Sequence, residues 1–346
     1  MTSLEVHSFL EQSAGKCVVD VRSPHEFQAG HVPYATNIPL FLDHERAYIG
    51  TIYHKLGSRA AINAGFKITQ NKLASLANQL LDCSNGKELF LYCWRGGMRS
   101  RSMAWLVAQY GVKTYLLYDG YKSFRRYVLD TLNQDFSLVI LSGFTGTGKT
   151  DLLNDLAVIQ EPVIDLEKLA NHKGSAFGNL YSEPQPSQEY FENLLAYTIK
   201  NQLDRKYFWV EDESRTIGKV VIPKSFWDSM RQAPVVQVNA SLEVRIQNLI
   251  HTYGNVGPEI LIAAFQKIQK KLGPLASQKA IQAIQNQDIT QACQIALHYY
   301  DKTYATGLKH RENMKTISIW IGKQPRKVFL QELIQAKNSL LSDVAV

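Results

Sequence analysis

The segment from Gly143 to Thr150 combines residue types and spacing that bind phosphate. It reads GFTGTGKT and satisfies the pattern G-x-x-x-x-G-K-[ST] in full, between a stretch with strand character and a stretch with helical character. The glycines of such a loop let successive backbone amides surround a phosphate chain at a helix N-terminus, while the lysine adds charge and the hydroxyl can ligate Mg²⁺. We predict a phosphate site, of unspecified ligand, that is made by Gly143, Gly146, Gly148, Lys149 and Thr150.

Acidic residues that could complete this site follow a second apolar stretch. Residues 207–210 read YFWV, which is typical of a buried strand, and Glu211, Asp212 and Glu213 come directly after them. A carboxylate at the end of a neighbouring strand is the usual partner of the loop hydroxyl in holding Mg²⁺. The sequence does not decide which of the three has this role; we favour Asp212, then Glu211, leave Glu213 open, and assign no certain metal site.

A second chemical site is predicted at Cys93, which follows the strand-like residues 88–92. The segment reads CWRGGMRS, so that a cysteine is followed by two glycines and two arginines, Arg95 and Arg99, just before a helix. A helix N-terminus and nearby cations favour the thiolate form of such a cysteine, and the loop amides can surround an anion at the sulfur. We therefore predict that Cys93, Arg95 and Arg99 are catalytic.

The spacing of the arginine in this loop leaves a second interpretation open. Arg99 lies six residues after Cys93, which is one more than in the usual sulfur-transfer loop, and this C-x₅-R spacing is also that of a family of phosphatases. Phosphatases of that type commonly have a histidine before the cysteine, where this chain has Tyr92, and the sequence offers no obvious general acid. The longer loop makes a wider cradle of phosphate size.

The elements around both sites alternate between strands and helices. Strand-like segments are predicted at residues 17–21, 88–92 and 114–118, and then at 137–142, 162–165, 207–211 and 235–238, with helical stretches between them. This alternation favours parallel α/β sheets. The pattern restarts after the helical residues 121–132, so we predict two domains, 1–135 and 136–346, the second with a helical part from 258 to 288 that is interrupted at 273–274.

Composition excludes several classes of protein. The 346 residues are 45% hydrophobic and 20% charged, which is typical of a soluble globular protein, and no apolar run approaches the roughly 20 residues that cross a membrane. The N-terminus lacks the layout of a signal peptide, so we expect a cytoplasmic protein with no membrane partner. Four cysteines do not make a disulfide framework, and we interpret Cys17, Cys83 and Cys293 as small buried hydrophobic residues.

Basic charge is concentrated in the last third of the chain. The net charge is +7, and from Arg215 onwards 17 lysines and arginines face 8 aspartates and glutamates. Such an excess favours a polyanion such as RNA, although a solvated basic surface has the same composition. The candidate contacts form one cluster on a predicted helix and one near the C-terminus: Lys267, Lys270 and Lys271, then Arg311, Lys315, Lys323, Arg326 and Lys327.

Longer blocks of sequence resemble known families. The Cys93 loop and residues 20–27, 30–35 and 37–39 resemble a rhodanese-like domain, in which Asp20, Glu26 and His31 belong to the scaffold and the thiolate carries sulfur or selenium. With the phosphate loop, and with residues 120–127, 165–178, 210–218 and 298–301, the chain resembles the tRNA 2-selenouridine synthases. The fold expected is therefore a rhodanese-like parallel-sheet domain followed by a P-loop NTPase-like α/β domain with a helical C-terminal part.

The resemblance implies a specific activity with two donors. Members of this family alkylate 2-thiouridine at the wobble position of tRNA with the geranyl group of geranyl diphosphate, and then replace the sulfur with selenium from selenophosphate. The diphosphate would suit the loop of Lys149, and selenophosphate would suit the Cys93 loop. No tightly bound cofactor is expected, apart from possible Mg²⁺ at the phosphate loop.

Three other functions remain open on the sequence. They are a rhodanese-type sulfurtransferase fused to a kinase-like NTPase, a C-x₅-R phosphatase, and an RNA-binding adaptor without catalysis. The last of these would leave both loop motifs unexplained.

Overall fold

A computed structural model describes residues 1–172, 184–202, 205–254, 256–308, 314–322 and 324–342, with side chains to residue 302 in the fourth range. Backbone contacts divide the chain into two compact units: Met1–Leu132 with Ser187–Tyr197, and Asn133–Pro186 with Thr198–Val346. Within the described residues, no helix combines the length and apolar character that crossing a bilayer requires.

The first unit contains a parallel five-stranded sheet in the order β1-β5-β4-β2-β3. Its strands are β1 (Thr2–Leu4), β2 (Val18–Asp20), β3 (Thr36–Asn37), β4 (Glu88–Tyr92) and β5 (Lys113–Leu117). Its helices are α1 (Val6–Gln12), α2 (Pro24–Ala29), α3 (Asp43–Thr69, kinked at Gly57, where φ is +80°), α4 (Leu73–Ser84), α5 (Met98–Ala108) and α6 (Gly120–Leu132). Val19, Leu91 and Leu116 of the central strands pack with Leu80 and Met103 of the helices, so the apolar strands form the core.

The second unit contains another parallel five-stranded sheet, in the order β12-β11-β6-β8-β7, and a two-stranded ribbon of β9 and β10. Its strands are β6 (Leu138–Gly143), β7 (Val163–Ile164), β8 (Phe208–Glu211), β9 (Thr216–Ile217), β10 (Val220–Val221), β11 (Val235–Asn239) and β12 (Thr316–Trp320). The phosphate loop follows the central strand β6, so it lies at the C-terminal end of the middle strand of the sheet.

Nine helices follow α6 in the part of the chain that the structure describes. They are α7 (Lys149–Val158), α8 (Leu166–Leu169), α9 (Gln188–Lys200), α10 (Lys224–Gln232), α11 (Leu242–Tyr253), α12 (Pro258–Leu272), α13 (Pro274–Gln285), α14 (Ile289–Leu308) and α15 (Arg326–Ser342). Residues 188–197 of α9 belong to the first unit. Helices α11 to α14 lie between the sheet strands β11 and β12 in the chain, and α12 to α14 share an apolar core of their own.

The predicted fold class is confirmed, and one prediction about the cysteines is wrong. Both halves are parallel α/β structures, and the predicted helical part from 258 is present as α12 and α13, which meet at Gly273. Cys17 and Cys83, however, form a disulfide instead of remaining separate buried thiols. Cys17 precedes β2 and Cys83 lies near the end of α4, 66 residues later, so only the packing of α4 brings them together. Cys93 and Cys293 are free thiols.

Candidate active sites

Cys93 lies where the central strand β4 ends, at the base of the loop that leads into α5. Its side chain is only 2% exposed and packs in the apolar core of the first unit. The Ser100 hydroxyl, from the first turns of α5, donates a hydrogen bond of 3.2 Å to the Cys93 sulfur. The Cys93 sulfur thus accepts a hydroxyl donor from the helix that follows its loop.

Two glycines are needed for the path of this loop. Gly96 has a φ of +60°, and a Cβ there would meet the Leu117 carbonyl oxygen at 2.9 Å. Gly120, with a φ of +61°, lies so close to the loop that a Cβ would clash with the carbonyl oxygen of Cys93. The amide of Tyr121 donates to that same oxygen at 2.8 Å, so the connection from β5 to α6 supports the loop. This contact gives the block at residues 120–127 a structural role.

The two predicted arginines of the loop have different surroundings. Arg99 donates to the Glu26 carboxylate at 2.8 Å. Burial alone would raise the pKa of Glu26, but the bond and charge of Arg99, with the Ser23 amide, lower it below its ordinary value. Arg95 instead lines a cavity of about 300 Å³ together with Arg101 and other residues, and Cys93 is not part of that lining. Glu26, which the resemblance assigns to the scaffold, therefore positions Arg99.

The residues that were assigned to the scaffold are held by buried contacts. Asp20 and Arg22 are both nearly inaccessible and form an ion pair of 2.7 Å, and Arg22 lies 3.8 Å from the ring centre of Tyr121. His31 stacks between Phe27 and Tyr190 at centroid distances of 3.7 and 3.9 Å. Burial lowers the pKa of His31, which favours its neutral form.

The phosphate loop joins β6 to α7, as the motif predicts. Gly146 and Gly148 have φ values of +84° and +79°, which few other residues adopt. The Lys149 amine donates to the Gly143 carbonyl oxygen at 2.8 Å, so it lies across the loop. The loop amides and this amine lie at the start of a ten-residue helix, an arrangement that suits an anion.

Three carboxylates lie beside the Thr150 hydroxyl. Thr150 donates to Glu167 at 3.2 Å, the backbone amide of Glu167 donates to Glu211 at 2.8 Å, and Glu213 completes the group. One oxygen of each carboxylate lies within 4.8 Å of the others, which is the arrangement of a cation site. Burial and the Glu167 charge raise the pKa of Glu213 to about 8, and burial and the neighbouring carboxylates raise that of Glu211 well above its usual range.

Mg²⁺ fits this group of donors. Its ligands are oxygen atoms, and these carboxylates and the Thr150 hydroxyl supply only oxygen. A divalent cation here would offset the repulsion among the three acids. Glu211, Glu213, Glu167 and Thr150 are the residues that would hold it.

Asp212, the acid that the sequence favoured, has another environment. It accepts a hydrogen bond of 2.8 Å from the hydroxyl of Ser142, near the end of β6, and it is outside the carboxylate group. Successive side chains of an extended chain point to opposite sides, which separates Asp212 from Glu211 and Glu213. Glu167 was not selected as a site residue, although its place just after β7 is the signal that could have identified it.

Helix α11 holds the other side of the phosphate loop. Arg245 donates to the Thr145 carbonyl oxygen at 2.8 Å and pairs with both oxygens of Asp301 at 3.0 and 2.5 Å. Asn248 donates to the Gly146 carbonyl oxygen at 2.8 Å. The two contacts with the loop join residues that are 100 and 102 positions apart in the sequence, and neither Arg245 nor Asn248 was predicted.

The candidate RNA contacts are dispersed. Lys267, Lys270 and Lys271 are exposed on α12, and Lys271 lines a cavity of about 410 Å³ with Lys279, Lys302, His298 and Tyr299. Lys327 is exposed at the start of α15, where Arg326 pairs with Asp155 at 2.5 Å. Lys315 is exposed just before β12. Arg311 and Lys323 lie outside the described residues.

The chain resembles known proteins along most of its length. Residues 4–127 match the rhodanese-like domain family, and residues 136–324 match the family described as the tRNA 2-selenouridine synthase AAA domain. Three relatives are named tRNA 2-selenouridine synthase. The protein of Nitrosomonas europaea is 38% identical over 79% of this chain and 72% of its own. Those of Nitrosomonas eutropha (35%, covering 94% and 81%) and Bdellovibrio bacteriovorus (34%, covering 85% and 89%) are similar over more of this chain.

Proposed function

The chain belongs to the tRNA 2-selenouridine synthase family, and on that premise we propose that it converts 2-thiouridine at the tRNA wobble position to 2-selenouridine in two steps. In the first step the phosphate loop binds geranyl diphosphate and the base sulfur is geranylated. In the second step selenophosphate at the Cys93 loop provides the selenium. The observation that carries this proposal is that each unit has its own anion site, one with a thiol and one with an amine and carboxylates.

The first step needs groups that stabilise a departing diphosphate. The base sulfur attacks C1 of the geranyl group, the C–O bond breaks, and the diphosphate leaves with the bonding electron pair, while the base releases its N3 proton to solvent. Lys149 and the loop amides are placed to bind that anion as its charge develops. Mg²⁺ at the Thr150 and Glu167 side of the loop would add positive charge there.

The second step exchanges the alkylated sulfur for selenium. The geranylated base, selenophosphate and water give the selenouridine base, geranylthiol and phosphate, so no external oxidant or reductant is required. Alkylation makes the sulfur a better leaving group than it is in the thiocarbonyl. Cys93, with Ser100 at its sulfur, is the nucleophile that we assign to this exchange: its thiolate attacks the phosphorus of selenophosphate, and the P–Se bond breaks so that hydrogen selenide leaves and displaces geranylthiol from the base. Water then hydrolyses the phosphocysteine to phosphate and the free thiol. Arg99, whose guanidinium Glu26 holds, is the cation that we assign to the phosphate.

The tRNA requires a basic surface in addition to the two donor sites. Among the candidates, we favour the cavity that Lys271, Lys279 and Lys302 line, because Tyr299 is part of the same lining and offers a ring for base stacking. Arg326 is less suited to contact a phosphate, since its guanidinium is paired with Asp155.

The experiment that tests the proposal is mass spectrometry of tRNA nucleosides after incubation with each donor. Geranyl diphosphate alone should produce S-geranyl-2-thiouridine, and both donors together should produce 2-selenouridine. Selenophosphate alone should leave 2-thiouridine unchanged. Selenouridine formed from selenophosphate without any geranyl donor would refute the two-step order.

One rival is favoured by a specific observation. The carboxylate group beside Thr150 also suits a magnesium nucleotide, as in a kinase-like NTPase fused to a sulfurtransferase. That function predicts hydrolysis of ATP or GTP that tRNA stimulates, with no geranylated nucleoside. The same incubations, with nucleotide added, distinguish the two.

A further inference from the structure

An apolar cavity lies directly against the phosphate loop. Thr145 of the loop contributes to its lining, and the remaining lining consists mainly of aliphatic and aromatic side chains from α11 to α14, among them Leu249, Phe265, Ala292 and Ala296. The cavity is in the same compact unit as the loop. Its lining helices also form the helical core of the second unit.

The cavity and the phosphate site are fixed to each other through α11. Asn248 bonds to the loop at Gly146, and the next residue, Leu249, lines the cavity. Arg245, one turn earlier, donates a hydrogen bond to the backbone carbonyl oxygen of Thr145, and Thr145 also lines the cavity. A ligand whose phosphates bind the loop therefore has an apolar space within reach of its other end.

We infer that this cavity binds the hydrocarbon tail of an isoprenoid diphosphate whose phosphates occupy the loop of Lys149. The inference rests on the proposed function, and it assigns the tail of the donor to named residues. A hydrocarbon gains from leaving water, by roughly fourfold in affinity for each buried methylene. A purine would instead bring ring nitrogens that need hydrogen-bonding partners, which a lining of this composition supplies poorly.

Short side chains make the space for the tail. Ala292 and Ala296 lie one turn apart on α14, and both are buried. The free volume is about 60 Å³, which is less than a ten-carbon chain occupies, so the lining side chains must move to admit a whole geranyl group. The cavity thus limits chain length, and longer tails should bind less well than geranyl.

The test compares the affinity of geranyl diphosphate with that of inorganic diphosphate by calorimetry. The wild type should bind geranyl diphosphate at least about tenfold more tightly, because part of the tail is buried. Ala296→Leu fills the cavity and should remove this preference, while the affinity for inorganic diphosphate stays the same. Ala280→Leu is the matched control, because Ala280 is a buried alanine of the same helical core that does not line the cavity. It should keep the wild-type preference.

The outcomes separate this inference from the proposed function. If the wild type binds both ligands equally and transfers no geranyl group, the proposed function fails. If the wild type prefers geranyl diphosphate and Ala296→Leu keeps that preference, only the cavity assignment is overturned. Loss of ATP affinity in Ala296→Leu, without loss of geranyl diphosphate affinity, would assign the cavity to a nucleoside and would also overturn it.

A second variant covers the case in which Ala296→Leu does not fold. Phe265→Ala enlarges the cavity from α12, and it should raise the affinity for farnesyl diphosphate relative to geranyl diphosphate. Circular dichroism checks that the variant is folded. An unchanged ratio in folded protein would place the tail elsewhere.

Discussion

In both compact units a central parallel strand ends in a glycine-containing loop that leads into a helix: β4 into α5 through Cys93, and β6 into α7 through the Gly143–Thr150 loop. Both loops thus present backbone amides at a helix N-terminus, a geometry that suits an anion in either case. The side chains around them differ. Cys93 is buried among apolar residues with one hydroxyl at its sulfur, whereas the second loop has an amine and three carboxylates.

This difference shows how one backbone arrangement serves two kinds of chemistry. A nearly dry thiol is suited to attack a selenium donor, because few water molecules compete for the reactive atom. A loop with an amine and a group of carboxylates beside it is suited to hold a polyphosphate and the cation that accompanies it. Substitutions should therefore separate the two steps, and each prediction below tests that separation.

The largest effect is expected at the thiol. Cys93→Ala should abolish selenium incorporation while geranylation of 2-thiouridine continues at the wild-type rate, since the thiol serves only the second step. Mass spectrometry of tRNA nucleosides with both donors should then show geranylated base that accumulates. Ser102→Ala, which changes an exposed residue of α5, is the control and should make selenouridine normally. Full selenation by Cys93→Ala would sink the assignment.

Lys149→Ala tests the other loop. It should reduce geranyl transfer by about 100-fold, because a departing diphosphate loses its nearest positive side chain. Selenation of tRNA that is already geranylated should be nearly unchanged. The exposed Lys219 in the same unit provides a control substitution, Lys219→Ala, that should leave both steps intact. Equal loss of both steps in Lys149→Ala would mean that the loops do not act separately.

The sequence predicted the local parts of both sites better than their partners. The strand, loop and helix at Cys93 and at Gly143–Thr150 follow from short-range patterns, and the structure has them. The contacts of Arg245 with Thr145 and of Asn248 with Gly146 depend on how α11 packs, which residues about 100 positions apart do not reveal. The disulfide between Cys17 and Cys83 was missed for the same reason.

The sequence could not identify the correct acid at the end of β8 for a different reason. Alternation along a strand shows that Glu211 and Asp212 face opposite sides, but not which side faces the phosphate loop. That depends on how β8 pairs with β6, where Leu141 lies opposite Glu211. Helix α3 was not predicted either, because only Ala61, Gly65 and Thr69 of its 27 residues are buried and its sequence has little apolar periodicity.

A smaller effect is expected on tRNA affinity. Lys271/Lys279→Glu changes two residues of the cavity lining and should weaken tRNA binding about tenfold and lower the salt dependence by roughly one unit per lost contact. Lys267/Lys270→Glu makes the same charge change on α12 outside that lining, and it should have a smaller effect. Filter binding over a series of salt concentrations measures both. Equal effects would favour general attraction to a basic helix over a defined RNA site.

The smallest effect concerns stability at the carboxylate group. Burial and the nearby Glu167 charge give Glu213 a pKa of about 8 in the folded protein, above that of a glutamate in an unfolded chain. The folded state therefore binds this proton more tightly, and the resulting stability is lost as the pH rises through about 8. In the presence of EDTA, we expect the Tm to be about 3 °C lower at pH 8.5 than at pH 6. This is the order of Tm change that a loss of about 1 kcal/mol causes in a domain of this size.

Two comparisons decide whether this group is responsible. Glu213→Gln should remove most of the pH dependence, because it removes the proton that is lost, whereas Glu243→Gln changes an exposed acid of α11 and should not. Mg²⁺ should also reduce the decrease in wild-type Tm at pH 8.5, since a cation among the three carboxylates stabilises their charged forms. If Mg²⁺ does not raise the Tm of the wild type at pH 8.5, the assignment of a cation to this loop is wrong. The contrast between the two loops would then depend on Lys149 alone.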